Sequence, residues 1–269
     1  MELKTNEQLK LMRKAGLVVA DGLAAMLDAA KPGVTTADID AVGREVLSRH
    51  GATSNFLNYG AEYGVGFPGV ACISVNEVLV HGIPNDRVLH DGDLVSIDFG
   101  AIVDGWHGDA ARTIIVGEGS ERDRALNEAT EEALWAGIRK MRPGRKVSDI
   151  SKAIEKAITS RGRYGILREY TGHGIGRSMH MAPDVPNYRT FGRSAQLDVG
   201  TVLAIEPMAT DGGHRTRELD DEWTVVSADG SRGSHWENTV AITQAGIWVL
   251  TEPDGGEARL GDLFGPLAD

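Results

Sequence analysis

Offset by 111 residues, the chain resembles itself. KPGVTTADIDAVGREVLSRHG, residues 31–51, aligns with RPGRKVSDISKAIEKAITSRG, residues 142–162, and Pro32, Gly33, Asp38, Ile39 and Gly51 meet identical partners at Pro143, Gly144, Asp149, Ile150 and Gly162. Placement carries more weight than number: each copy reads as a Pro-Gly turn, a capping cluster and an amphipathic helix closing on glycine. Each copy also follows a helical stretch, 6–28 and 121–141, the first opened by Thr5 and Gln8 at capping-box spacing. Strand-rich sequence comes next in both, with apolar runs at 94–99 and 201–205 tied to an acidic residue. Helix, helix, strands, twice over, predicts an α+β fold. Two related halves, about 1–118 and 119–250, would pack around one sheet. The 269 residues are read as one domain, with 252–269 as a C-terminal tail.

The repeat also organises the acidic residues. In GDLVSIDFGAIVDGWHGDAARTIIVG the alternation on either side of Asp104-Gly105 reads as a hairpin with a two-residue turn. That register sets Val103 against Trp106 and Gly100 against Asp109, which makes Asp98 and Asp109 diagonal neighbours on one face. A carboxylate among Leu94, Val95, Ile97 and Phe99 is costly to desolvate unless paired or metal-bound. In the second half Glu206 follows Val202, Leu203, Ala204 and Ile205, and Glu237 precedes Asn238, Thr239, Val240, Ala241 and Ile242. A single such acid is most often salt-bridged or solvated. Four together, at matched places in a duplicated chain, are read as a converging set with a charge of about −4, which two divalent cations would neutralise. The basic residues near these strands are only Arg112 and Arg87.

Among the histidines, His173 lies between glycines in Gly172-His173-Gly174-Ile175-Gly176 and is the expected nitrogen ligand. An oxygen-rich site with one imidazole and no sulfur suits Mn, Fe, Co or Zn. His81, before the Gly82-Ile83-Pro84 turn, and His180, seven residues after His173, could face the same cleft. His50, His90, His107, His214 and His235 are read as surface histidines or as neighbours of the ligands.

Composition narrows the partners. Asp plus Glu number 39 against 28 Lys plus Arg, so the formal charge of −11 argues against nucleic acid as a direct substrate. Cys72 is the only cysteine, which excludes an intrachain disulfide and a thiolate metal cage and fits a reducing cytoplasm. The first ten residues carry Glu2, Lys4, Glu7 and Lys10 with no apolar run behind them, and no stretch is apolar for long enough to span a membrane.

His81-Gly82-Ile83-Pro84, Ser96-Ile97-Asp98, His107-Gly108-Asp109, Gly172 to Gly176, Ala204-Ile205-Glu206-Pro207-Met208 and Trp236-Glu237-Asn238-Thr239 together resemble the type I methionine aminopeptidases. The motifs run in the family's order from about residue 2 to about residue 250. The resemblance implies the pita-bread fold, two pseudo-symmetric halves around a central, mostly antiparallel sheet with helices on its outer face, whose pseudo-two-fold symmetry agrees with the repeat, and a single catalytic domain. It further implies that Asp98, Asp109, His173, Glu206 and Glu237 hold two divalent ions (Co, Mn, Fe or Zn). Hydrolysis would then proceed by attack of a hydroxide bridging them, with Glu206 handling protons and His81 and His180 touching the substrate. The side chain of an N-terminal methionine would lie against Phe67, Cys72, Met179 and Trp223. The sequence departs from the family pattern at Met179, where an aromatic residue commonly precedes the second histidine, at Gly64 in place of a frequent Tyr, and at Asn238 in place of a frequent His. The implied substrates are methionyl peptides and nascent polypeptides whose second residue is small, met in the cytoplasm by a monomer. A transient ribosome contact could run through His214, Arg215 and Arg217.

Two alternatives stand beside this one. Xaa-Pro aminopeptidases and prolidases share the acidic pattern but usually carry a large additional N-terminal domain, whereas the first helix here begins by Asn6. A metal-free homologue kept as a partner-binding module would be expected to have lost ligands. The tail 252–269 lies beyond the resemblance and is expected to carry no chemistry.

Overall fold

Thr5 and Gln8 do close a reciprocal capping box: Gln8 N donates to Thr5 Oγ1 at 3.3 Å and Thr5 N to Gln8 Oε1 at 2.9 Å. The computed structural model describes residues 1–267, so the last two residues of the expected tail lie outside the described part. The first half runs α1 (Asn6–Ala29), α2 (Thr36–His50), β1 (Thr53–Ser54), β2 (Ala71–Val75), β3 (Val78–Val80), β4 (Leu94–Val103) and β5 (Trp106–Ile115). The second opens with α3 (Glu121–Ile138), α4 (Val147–Thr159), β6 (Gly165–Ile166), β7 (Gly172–Gly174), β8 (Met181–Val185) and β9 (Val202–Ile205). It continues with β10 (Met208–Thr210), β11 (Thr216–Glu218), β12 (Val225–Ser227), β13 (Gly233–His235), β14 (Asn238–Ile242) and β15 (Ile247–Val249), then a short α5 (Glu257–Leu260).

The two aligned segments fold alike down to single hydrogen bonds. Asp38 accepts from Thr35 N at 3.0 Å and Asp149 from Lys146 N at 3.1 Å, each tying off the start of its helix. Gly33, at φ 91°, donates to Leu89 O, and Gly144, at φ 82°, donates to Leu197 O, so the Pro-Gly turn is pinned to an extended segment in both copies. The copies part at the far end. Gly51 caps α2 in the left-handed conformation, whereas α4 stops at Ser160 and Gly162 packs against the Tyr164 ring instead.

Every pairing within the sheets is antiparallel. β4 pairs with β5 along its whole length and with β1 and β2 on its other edge. The second large sheet has the order β15-β14-β9-β7-β8. The hairpin register agrees with the sequence reading: Val103 faces Trp106 and Gly100 faces Asp109. Helices cover each sheet with its own core. Val19, Leu23, Met26 and Ile39 lie with Ile73, Val95, Ile97 and Phe99 in the first half. Leu126, Leu134, Ile150 and Ile154 lie with Leu203, Ile205, Val240 and Ile242 in the second. A third cluster, including Leu9, Met12, Trp106, Val202, Ala241 and Leu250, joins the two. Among the described residues no helix is long and apolar enough to cross a membrane.

Polar staples close the line where the halves meet. Glu237 N donates to Ala111 O at 3.0 Å, Asp109 N to Thr239 Oγ1 at 3.0 Å, and Thr239 Oγ1 to Asp109 O at 2.8 Å. Glycine lets α1 lie close to this line: a Cβ on Gly16 would stand 2.0 Å from Leu250 O, and one on Gly108 would stand 2.9 Å from Gly16 N. Gly16→Ala is therefore expected to force the helix away from Leu250 and lower stability by about 1–3 kcal/mol. Urea unfolding would read this as an earlier midpoint, and an unchanged midpoint would contradict the close approach.

Candidate metal centre and its cleft

The four acids reach one point from two sheets. Asp98 and Asp109 stand inside β4 and β5. Glu206 occupies the break between β9 and β10, where Pro207 has no N–H for a ladder, and Glu237 fills the break between β13 and β14. The first pair thus lies within strands, while the second pair sits at strand ends, where a side chain can turn inward. Asp109 and Glu237 are almost wholly buried, at 3% and 2% exposure. Oδ1 of Asp98, Oδ1 of Asp109 and Oε1 of Glu237 are sealed from solvent with no hydrogen-bond partner.

Desolvation pushes all four carboxyls up. Asp98, Glu206 and Glu237 go well above the usual carboxylate range and Asp109 goes to about 7, with mutual repulsion adding to burial in the first three. The basic neighbours relieve them little, Arg112 offsetting only part of the rise at Glu237. Arg87 pairs with Glu77 at 3.7 Å, away from the cleft. Arg112 turns its guanidinium to main-chain oxygens and to Glu252: Nη1 donates to Glu237 O at 2.5 Å and to Ala111 O at 2.8 Å, Nη2 to Glu252 Oε1 at 2.6 Å and to Asn238 Oδ1 at 2.8 Å. The tail expected to carry no chemistry therefore holds the arginine that braces Glu237. It is also packed, with Leu260 buried and Phe264 bridged to Ile247.

His173 enters from β7, opposite Ala204 of β9. Its Nδ1 donates to Gly174 O at 3.0 Å, and burial lowers its pKa to about 4, so the ring is neutral and Nε2 carries a bare lone pair. That lone pair faces Glu206 Oε1 at 3.6 Å. With Glu206 ionised, two acceptors point at each other in a dry site, an arrangement that calls for a cation between them. Candidate ligand atoms of Asp109, His173 and Glu237 lie within 4.8 Å of one another, as do those of Glu206, His235 and Glu237. Oxygen-rich donors with neutral imidazole and unpartnered buried oxygens fit a divalent metal.

His235, read from the sequence as a surface histidine or a neighbour of the ligands, is the latter: it is 2% exposed, on β13 opposite Met208, with Nε2 at 3.4 Å from Glu206 Oε2. Burial pushes its pKa down to about 3. Alternation along 233–237 would have revealed that His235 and Glu237 share a face, but a three-residue strand gives that signal little length.

A cleft of 510 Å³ opens over this cluster, lined by His81, Asp98, Asp109, His173, His180, Glu206 and Glu237 with Phe67, Cys72, Met179 and Trp223, whereas Gly64, Asn238, His214, Arg215 and Arg217 lie outside its lining. His81 holds a left-handed backbone, φ 56°, at the end of β3, next to Gly82, whose Cβ would strike Ile73 O at 2.3 Å. His180 is exposed at the mouth, its ring 4.4 Å from that of His173. Its Nδ1 is hydrogen-bonded to Tyr59 Oη at 2.7 Å, a partner the sequence reading missed because Tyr59 sits in an irregular loop. Burial holds both His81 and His180 below the usual imidazole range, His81 at about 4. Phe67, Cys72 and Met179 are buried with Phe56 in one apolar cluster, and Trp223 packs against it, edge-on to Phe67 at 5.4 Å. Cys72 pairs directly across from Asp98, and burial drives its thiol pKa well up, so it is a neutral, apolar wall.

A duplicated α+β scaffold with a buried acidic cluster under an apolar cleft defines a hydrolytic metal centre. The model of metallopeptidase family M24 matches residues 10–244. Methionine aminopeptidase 1 of Mycobacterium tuberculosis is 49% identical over 250 residues, covering 91% of this chain and 92% of that one. The solved methionine aminopeptidase of Thermotoga maritima superposes with a TM-score of 0.89 at 39% identity, over 94% of this chain and 99% of the other. The Pyrococcus furiosus prolidase is more distant, with a TM-score of 0.73 at 25% identity and only 65% of its own length covered. The chain belongs to metallopeptidase family M24 and stands among its methionine aminopeptidases, so the expected pita-bread fold and the use of a divalent metal are borne out.

Because the carboxylates repel one another, stability and metal binding should move in opposite directions. In chelator-stripped protein, Asp98→Asn or Glu206→Gln is expected to raise stability by about 0.5–2 kcal/mol. Adding manganese should raise the melting temperature of the unmodified chain by several degrees and that of the variants far less. Thermal melts with and without metal check this, and variants that melt earlier when stripped would contradict it.

Proposed function

We propose that the chain removes the N-terminal methionine from peptides and nascent polypeptides whose second residue is small, using Asp98, Asp109, His173, Glu206 and Glu237 to hold two divalent ions. The observation that carries this reading is the adjacency of an apolar recess, walled by Phe67, Cys72, Met179 and Trp223, to the acidic cluster within one cleft. A flexible thioether chain fills such a recess without leaving a polar group unpaired. When bound, the ions make water acidic at neutral pH and draw charge from the scissile carbonyl.

The chain's own residues supply the rest. Glu206, at the cleft between the His173 and His235 rings, is placed to accept a proton from water and return it to the leaving amine. Tyr59 fixes the His180 ring through Nδ1, which leaves Nε2 for the substrate. His81, neutral and buried, offers a second imidazole for the developing charge on the carbonyl oxygen. No nucleophilic side chain is required, and Cys72 is held as a neutral thiol. The assignment extends to a monomer working in the cytoplasm, with a transient ribosome contact through the segment carrying His214, Arg215 and Arg217.

Steady-state hydrolysis by the metal-loaded chain tests this. Met-Gly-Met should be cleaved and an Ala-Pro peptide spared. Glu206→Ala or His173→Ala should lower turnover by at least a hundredfold with the fold intact by circular dichroism. Proline-selective cleavage, or none after loading, would overturn the assignment.

A further inference from the structure

The five residues implied by family resemblance include one imidazole, yet two imidazoles converge on the cluster. We propose that His235 is a sixth metal ligand, so that two cation positions sharing Glu237 each receive one imidazole, His173 at one and His235 at the other. The inference rests on the metal-dependent reading above and adds to it a residue of this chain.

Glu206 is flanked symmetrically. Ala204, two residues before it, pairs with His173, and Met208, two residues after it, pairs with His235. Its two carboxylate oxygens face different rings, Oε1 facing His173 Nε2 at 3.6 Å and Oε2 facing His235 Nε2 at 3.4 Å. The second contact is short, yet His235 Nε2 is sealed from solvent and makes no hydrogen bond. Nitrogen and oxygen are therefore close but not aimed along a donor–acceptor line, as two ligands pointing at a common third atom would be. The two ligand triads, Asp109–His173–Glu237 and Glu206–His235–Glu237, share one carboxylate and contain one imidazole each.

The ring is also held in place. His235 N donates to Thr113 Oγ1 at 2.9 Å, and that hydroxyl donates to His235 O at 2.7 Å, while β10 pairs along the other edge of β13. Both main-chain groups are fixed, so the imidazole is presented to Glu206 without a loop having to order. A second nitrogen donor shifts the preference of the centre toward Zn, Co or Fe and away from Mn.

X-ray absorption at the zinc edge counts imidazoles directly. The full chain, stripped with chelator and loaded with two equivalents of zinc sulfate, is expected to show an average of one imidazole per zinc. His235→Gln and His173→Gln should each halve that count, and calorimetric titration of His235→Gln should weaken one equivalent at least tenfold with the other within twofold. Glutamine keeps an N–H that could orient Glu206, so a purely positioning role would leave the imidazole count unchanged. A wild-type average of one-half, an unaltered count in His235→Gln, or a wild-type chain that takes up no zinc overturns the proposal. If only one zinc binds, loss of imidazole scattering in His235→Gln supports the assignment and retention refutes it. Methionine release by the loaded wild-type chain is scored separately: a second imidazole without that release contradicts the peptidase reading and leaves the ligand intact.

Discussion

Four carboxylates drawn out of water onto one another is the condition around which this protein is built. Each has a raised pKa because burial penalises its charge, and the guanidinium nearest to them is turned to main-chain oxygens and to Glu252. Left alone, such a cluster would protonate or swell, since buried like charges are among the most costly arrangements in a folded chain. Bound cations reverse the sign of that contribution: the same oxygens that repel one another become a chelate, and the folding energy stored in the scaffold is what keeps them preorganised.

The scaffold meets this demand by duplication. Each half supplies a helical pair, a core and two of the acids, and the acids face inward where the sheets meet. The junction is stapled by backbone and threonine hydrogen bonds that join the residues next to the ligands: Ala111 with Glu237, Thr239 with Asp109, Thr113 with His235. Neither half alone could complete the cluster. Arg112 and Glu252 extend the brace to the segment after β15, so a stretch beyond the matched family region bears on the geometry of Glu237.

Much of this was legible in the sequence, for identifiable reasons. The hairpin register at Asp104-Gly105 could be read because a two-residue turn leaves one pairing consistent with the alternation on both strands. The helical repeats could be read because Asp38 and Asp149 do the same capping work. The acids stood out because a charge inside an apolar run needs a partner. What escaped was set by contacts distant in sequence. His235 becomes buried only when β13 pairs with β10, Tyr59 reaches His180 from a loop without periodicity, and Glu252 finds Arg112 across 140 residues. The repeat also misled at one point: Gly162 matches Gly51 in sequence, but with Tyr164 packed on it the helix ends two residues earlier, at Ser160.

The apolar cleft above the cluster gives the same electrostatics a use. Neutral histidines at His81, His173 and His180 and a neutral thiol at Cys72 leave carboxyl groups, the four acids with Glu169 and Asp184, as the charged groups lining the cleft. Anomalous diffraction from crystals grown with abundant manganese tests the underlying claim most directly. The expected result is strong anomalous density enclosed by Asp98, Asp109, His173, Glu206 and Glu237, with the carboxylate oxygens turned onto it. Carboxylates hydrogen-bonded to one another or turned toward solvent around a cleft without anomalous density would contradict it.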